Sequence, residues 1–90
     1  MALQILNAPG TETAQTTERI RAAIVEALPG ADVAVQSGSG GHYEVRVRSE
    51  AFAGKTRVAQ HQLVYAAITF LMTGNAPPVH AIDRLDCDTP

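Results

Sequence analysis

The feature that most limits what this chain can fold into is a pair of alternating stretches on either side of five small residues. Asp32 to Gln36 sets Val33 and Val35 two apart; after Ser37-Gly38-Ser39-Gly40-Gly41, the residues Tyr43, Val45 and Val47 alternate with Glu44, Arg46 and Arg48. In an extended chain successive side chains point to opposite faces, so this pattern describes two strands with one face buried and the other in water. Joined by a short glycine-rich connection, they read as a β-hairpin. The glycines serve the turn by supplying positive φ, and no lysine inside the loop marks it as an anion cradle.

A lone hairpin cannot bury its apolar face, and the flanking segments supply the helices that cover it. Before the hairpin, Ile20, Ala23, Ile24, Ala27 and Leu28 recur at helical spacing. That helix is expected to be capped within the threonine cluster, with Glu18 near its positive end and Pro29-Gly30 as its stop. Met1 to Thr17 keeps no period for long, so residues 1–15 read as a flexible N-terminal arm and residues 16–90 as a single domain.

After the hairpin, Arg57 to Met72 has helical spacing. Val58, His61, Val64, Tyr65, Ile68, Leu71 and Met72 form one stripe, widened by Leu63, Ala66, Ala67 and Phe70. So broad an apolar surface predicts contact with the sheet and with another helix. Gly74-Asn75 ends this helix, Pro77-Pro78 forces an extended approach, and Val79 to Leu85 forms a last short strand with Val79, Ala81 and Leu85 inward. A strand–helix–strand crossover is right-handed, which makes the second and third strands parallel. The predicted fold is α+β, a three-stranded mixed sheet with helices packed on one face.

Ninety residues fit one domain that buries roughly two thirds of its unfolded surface. With 46% apolar and 18% charged residues the chain reads as globular. Its single cysteine, Cys87, closes no internal disulfide, and the apolar run Ala2 to Leu6 lacks the basic start, length and cleavage site of a signal peptide. The cytoplasm is the expected compartment, with no membrane partner. The net charge is −2, and residues 1–41, 42–70 and 71–90 carry −2, +2 and −2. The basic middle holds Arg46, Arg48, Lys55 and Arg57, compatible with weak nucleic-acid contact and equally with a solvated face.

The connection Ser49-Glu-Ala-Phe-Ala-Gly-Lys-Thr56 ends like a nucleotide-binding P-loop. Ser49 stands where that motif needs its first glycine, Phe52 would crowd a phosphate, and a chain this short lacks the Mg²⁺-binding strand. Phe52 is instead expected to plug the core, with Gly54 letting the chain swing into the helix. Of the three histidines, whose spacing matches no zinc signature, the residues alone read His42 as a turn residue, His61 as core-facing and bonded to a backbone carbonyl, and His80 as a strand residue. No nucleophile, base and orienting acid can be assembled from the sequence, so an enzyme is not expected.

The run from Ser49 to Tyr65, with His42-Tyr43 before it and Val79-His80-Ala81 after it, resembles the BolA-like family over Thr16 to Pro90. The resemblance implies an α-β-β-α-α-β arrangement similar to type II KH domains, with a one-turn helix near Gly54 to Val58 before the main one. It also implies that His80 is a ligand to a 2Fe-2S cluster shared with a monothiol glutaredoxin. The partner would supply a cysteine thiolate and a glutathione thiolate, and this chain a second ligand from the hairpin loop. Many relatives carry Cys or His inside that loop. Here the loop holds only serine and glycine, leaving His42 beside it and Cys87 in the tail as candidates. No cluster is expected in the isolated protein, which should be a monomer or weak homodimer. The other function implied is that of a KH-like nucleic-acid-binding regulator of transcription, resting on Lys55, Arg57, Arg46 and Arg48; Gln60 and Gln62 beside His61 replace the Arg-rich surroundings of many relatives.

Overall fold

The computed structural model describes residues 11–90, Thr11 without its side chain. Its elements are α1 (Thr11–Ala27), β1 (Asp32–Ser37), β2 (His42–Arg48), a 3-10 turn (Glu50–Phe52), α2 (Arg57–Ile68), a second 3-10 turn (Thr69–Leu71) and β3 (Ala81–Asp88). The sheet order is β1-β2-β3, with β1 antiparallel and β3 parallel to the central strand. Val33 faces Val47 and Val35 faces Val45 across the hairpin. On β2 the alternation is complete: Tyr43, Val45 and Val47 are buried, while His42, Glu44, Arg46 and Arg48 are exposed.

Both helices cover this one apolar face. Ile20, Ile24 and Leu28 form a single core with the β2 residues, Phe52, Val64, Ile68, Leu71 and Val79. Spacing of three or four residues puts each helical set on one stripe, so each helix turns only that stripe to the sheet. Among the described residues no helix is long and apolar enough to cross a membrane.

Four boundaries differ from the sequence reading. The helix α1 begins at Thr11, so residues 11–15 are helical and not part of a flexible arm; residues 1–10 lie outside the described residues. Thr13, Thr16 and Thr17 lie inside the helix and do not cap it: Thr17 Oγ1 donates to the Thr13 carbonyl at 2.8 Å, and Thr16 is buried. The short helix before α2 lies at Glu50–Phe52 rather than near Gly54 to Val58. Ser49 Oγ caps it by accepting from the Ala51 N–H at 3.0 Å, and Phe52 is fully buried as expected.

The main helix is shorter and its buried stripe narrower than its sequence implies. It tightens into the second 3-10 turn where Thr69 Oγ1 donates to the Tyr65 carbonyl at 2.6 Å. Val58 and Phe70 are 66% and 60% exposed, leaving Val64, Ile68 and Leu71 as the buried side, flanked by Leu63, Ala67 and Met72. The last strand begins later and runs further than expected. Val79 is buried but precedes it, its N–H bound to the Leu71 carbonyl at 3.1 Å. Asp86 to Asp88 continue the strand, with Asp86 in register with Arg46 and Asp88 with Arg48, while the Asp86 carboxylate accepts from Arg84 Nε at 3.0 Å.

Candidate metal centre

The hairpin loop and the start of β3 meet at one end of the sheet. The Gly38 N–H donates to the His42 carbonyl at 2.7 Å, closing the loop. The Gly41 carbonyl then accepts from the N–H groups of both His80 and Ala81, at 2.8 and 3.3 Å, and His42 lies in register with Ala81. Parallel pairing of two strands that both start here therefore brings the main chains of His42 and His80 side by side. Pro77 and Pro78, whose rings fix φ, lead into His80, the chain bending at Pro78 rather than running fully extended as the sequence predicts.

The two imidazoles are exposed and open into separate clefts. That of His80 lies among Glu12, Thr13, Thr16, Tyr43, Pro77 and Pro78, on the helix side. Its ring rests on Gly41, whose φ is +80°: a Cβ there would stand 3.0 Å from His80 Cγ and 3.3 Å from Cδ2 and Nδ1. Glycine leaves the ring undisturbed in this position and adopts that backbone without strain. The His42 ring belongs to the outer face of β2, bordered by Gln36, Ser37, Gly38 and Asp83, with its Nδ1 2.9 Å from Asp83 Oδ1. Among the described residues no group of three or more His, Cys, Asp or Glu gathers closely enough to hold a metal by itself.

The remaining candidates lie elsewhere. Cys87 faces Val47 near the far end of β3, half-buried. Burial first, then the neighbouring Asp88 and Asp86, push its thiol up from 9.0 to about 11. A remote, protonated thiol is unsuited to be the second ligand. His61 is half-buried beside Arg46, Arg57, Leu85, Asp86, Cys87 and Asp88 rather than turned into the apolar core.

The four bases form no single stripe. Lys55 and Arg57 are exposed at the start of α2; Arg46 and Arg48 lie on the outer sheet face opposite Asp86 and Asp88, with Asp32 also facing Arg48. A face of mixed sign lacks the one-sided positive potential of a nucleic-acid surface. Gln60, beside His61, has a structural role: its Nε2 donates to the carbonyls of Phe52 and Lys55 at 3.1 and 3.2 Å, tying the connection to α2.

Two residues at the candidate site were not singled out from the sequence. Gly41 stands directly before His42, and its place as the last glycine of the loop was the available signal. Asp83 gave none, because its position depends on an irregularity in the β2–β3 register: Tyr43 pairs with Ile82 and Glu44 with Arg84, so Asp83 is the extra residue of a bulge.

Comparison with known proteins agrees with this architecture. The family model described as BolA-like protein matches residues 20–90. A BolA protein homologue from Coxiella burnetii is 32% identical with a TM-score of 0.67, the match covering 82% of this chain and 90% of that one. BolA1 from Mus musculus is 30% identical with a TM-score of 0.67, over 82% of this chain and 64% of that one. The BolA domain of SufE1 from Arabidopsis thaliana is 29% identical with a TM-score of 0.68, over 83% and 92%. No curated protein matches the chain by sequence.

Proposed function

The chain belongs to the BolA-like family, and from that premise we propose that it is a non-enzymatic adaptor which binds a monothiol glutaredoxin and shares a 2Fe-2S cluster with it, for iron–sulfur trafficking or for iron and redox sensing. His80 is the principal ligand contributed by this chain and His42 the second. The observation that supports the reading is the Gly41 carbonyl bound to the N–H groups of His80 and Ala81, which joins the backbone of His80 to that just before His42 at one end of the sheet, with both side chains exposed.

The donor chemistry fits the cargo. A neutral imidazole is a good ligand for iron, and replacing thiolates by two imidazoles on one iron removes negative charge and raises the potential. Both exposed rings would have to turn from their separate clefts towards a common point as the partner docks; the two imidazoles would then satisfy one iron, and the thiolates of a partner cysteine and of glutathione the other. This chain then has three tasks: to present His80 over Gly41, to present His42 from the loop, and to offer a surface around both on which the partner docks. Pro77-Pro78 limit the conformations open to the His80 approach, so less entropy is lost when the partner binds.

The test is to mix the protein with a monothiol glutaredoxin and glutathione under cluster-forming conditions and record visible circular dichroism. A heterodimer with a spectrum distinct from that of the glutaredoxin homodimer is expected, and His80→Ala should remove the difference while the far-UV spectrum stays native. An unchanged heterodimer spectrum in His80→Ala would overturn the ligand assignment. Failure of the wild-type proteins to associate would overturn the adaptor reading.

A further inference from the structure

Asp83 is the extra residue of the bulge in β3, and the bulge determines what it can reach. In an unbroken register Tyr43 and Glu44 would face consecutive residues of β3; instead they face Ile82 and Arg84. The inserted Asp83 leaves the ladder and brings Oδ1 to 2.9 Å from His42 Nδ1, forty-one residues earlier in the chain. Both side chains are about half exposed, at 46% for His42 and 53% for Asp83, so neither the bulge nor the contact is needed to fill a core. Bulges re-aim side chains at functional sites, and this one re-aims a carboxylate.

We infer that Asp83 is a positioning residue which selects the nitrogen that His42 offers to metal: its carboxylate accepts a hydrogen bond from Nδ1–H, which keeps the proton there and leaves Nε2 as the ligating atom. The inference rests on the reading of His42 as a ligand. An ionised carboxylate can only accept a hydrogen bond, so the Nδ1 facing it carries the proton. In a neutral ring the lone pair then sits on Nε2, across the ring from Asp83. A carboxylate behind a metal-bound histidine fixes both tautomer and ring orientation, and removing such a partner commonly weakens metal binding tenfold or more. His80 has a different support, the bare backbone of Gly41 against its ring. The two imidazoles are thus held by unlike devices, one a hydrogen bond and one a steric seat.

The test has one arm without the cluster and one with it. In the isolated protein at alkaline pH, long-range ¹H–¹⁵N correlation should show His42 with its proton on Nδ1. Asp83→Ala should return it towards the Nε2–H form preferred by free imidazole, and Asp83→Asn, which keeps an acceptor oxygen, should retain the wild-type form. In the heterodimer with a monothiol glutaredoxin and glutathione, the Asp83→Ala spectrum should move towards that of His42→Ala, with at least a tenfold shorter cluster lifetime, while Asp83→Asn stays near wild type. An unaltered tautomer in Asp83→Ala overturns the inference. So does a wild-type heterodimer spectrum in Asp83→Ala when His42→Ala changes it. If His42→Ala itself leaves the spectrum unchanged, the ligand role of His42 falls and this inference with it, a result distinguished by an unaltered heterodimer of both variants.

Discussion

Replacing Gly41 by alanine separates the backbone requirement at the loop end from the seat it gives His80. At φ +80°, an alanine carries a left-handed conformation that costs about 1–2 kcal/mol. The stiffer unfolded chain returns about 0.4–1 kcal/mol, so the backbone alone predicts a net loss of about 1 kcal/mol, or about 4–8 °C in Tm for a domain of this size. Gly30 is the control: its φ is +85°, and a Cβ there meets nothing within 4 Å. Gly30→Ala should therefore show the same thermal loss and no effect at the candidate site. At Gly41 the added Cβ stands 3.0 Å from His80 Cγ, tighter than most such contacts, so the exposed ring must shift by a few tenths of an ångström. Thermal unfolding should place the two variants close together, while the His80 ring resonances and the heterodimer dichroism change only in Gly41→Ala. Wild-type His80 resonances and a wild-type heterodimer in Gly41→Ala would refute the claim that this glycine seats the imidazole.

The core assignment predicts that Ile68→Ala, at a fully buried position, costs about 2–5 kcal/mol in denaturant unfolding, whereas Val58→Ala, on the same helix but exposed, stays within about 0.5 kcal/mol of wild type. The thiol of Cys87, raised from 9.0 to about 11, should hold a thiolate fraction about a hundredfold below an ordinary cysteine at neutral pH, and alkylate correspondingly slowly in the native protein. The sign for stability follows: the unfolded chain ionises first as pH rises from 9.0 towards about 11, so Cys87 lowers stability across that window, an effect absent in Cys87→Ala. Nucleic-acid binding, measured by fluorescence anisotropy, should be weak and fall steeply with salt, with a smaller salt slope in the Lys55→Ala, Arg57→Ala double variant; tight, salt-insensitive binding would contradict the mixed-sign surface.

Much of the fold was legible because its central elements announce their period. Tyr43, Val45 and Val47 alternate without interruption, and the crossover rule then required β3 to run parallel to β2. The errors fall where a local pattern competes with a distant partner. Threonines at 13, 16 and 17 looked like caps, yet the Thr17 side chain bonds within α1 and Thr16 is buried. Three residues at Glu50–Phe52 are too few to carry a period. Val58 and Phe70 satisfied the helical pattern, but α2 is covered by the sheet along one narrower stripe only. At the site, the backbone proximity of His42 and His80 followed from strand direction, while the His42–Asp83 contact could not, because nothing in the sequence marks the bulge at residue 83. Likewise, the sequence ends the last strand at Leu85, whereas Asp86 and Asp88 continue it in register with Arg46 and Arg48.

Pulsed electron paramagnetic resonance of the reduced heterodimer reads out whether imidazole nitrogen from this chain binds the shared iron. The protein should be labelled with ¹⁵N-histidine and combined with unlabelled monothiol glutaredoxin and glutathione. Strong ¹⁵N couplings to the cluster are then predicted, reduced by one set in His42→Ala and lost for the principal ligand in His80→Ala. A heterodimer that forms and shows no ¹⁵N coupling would contradict the account.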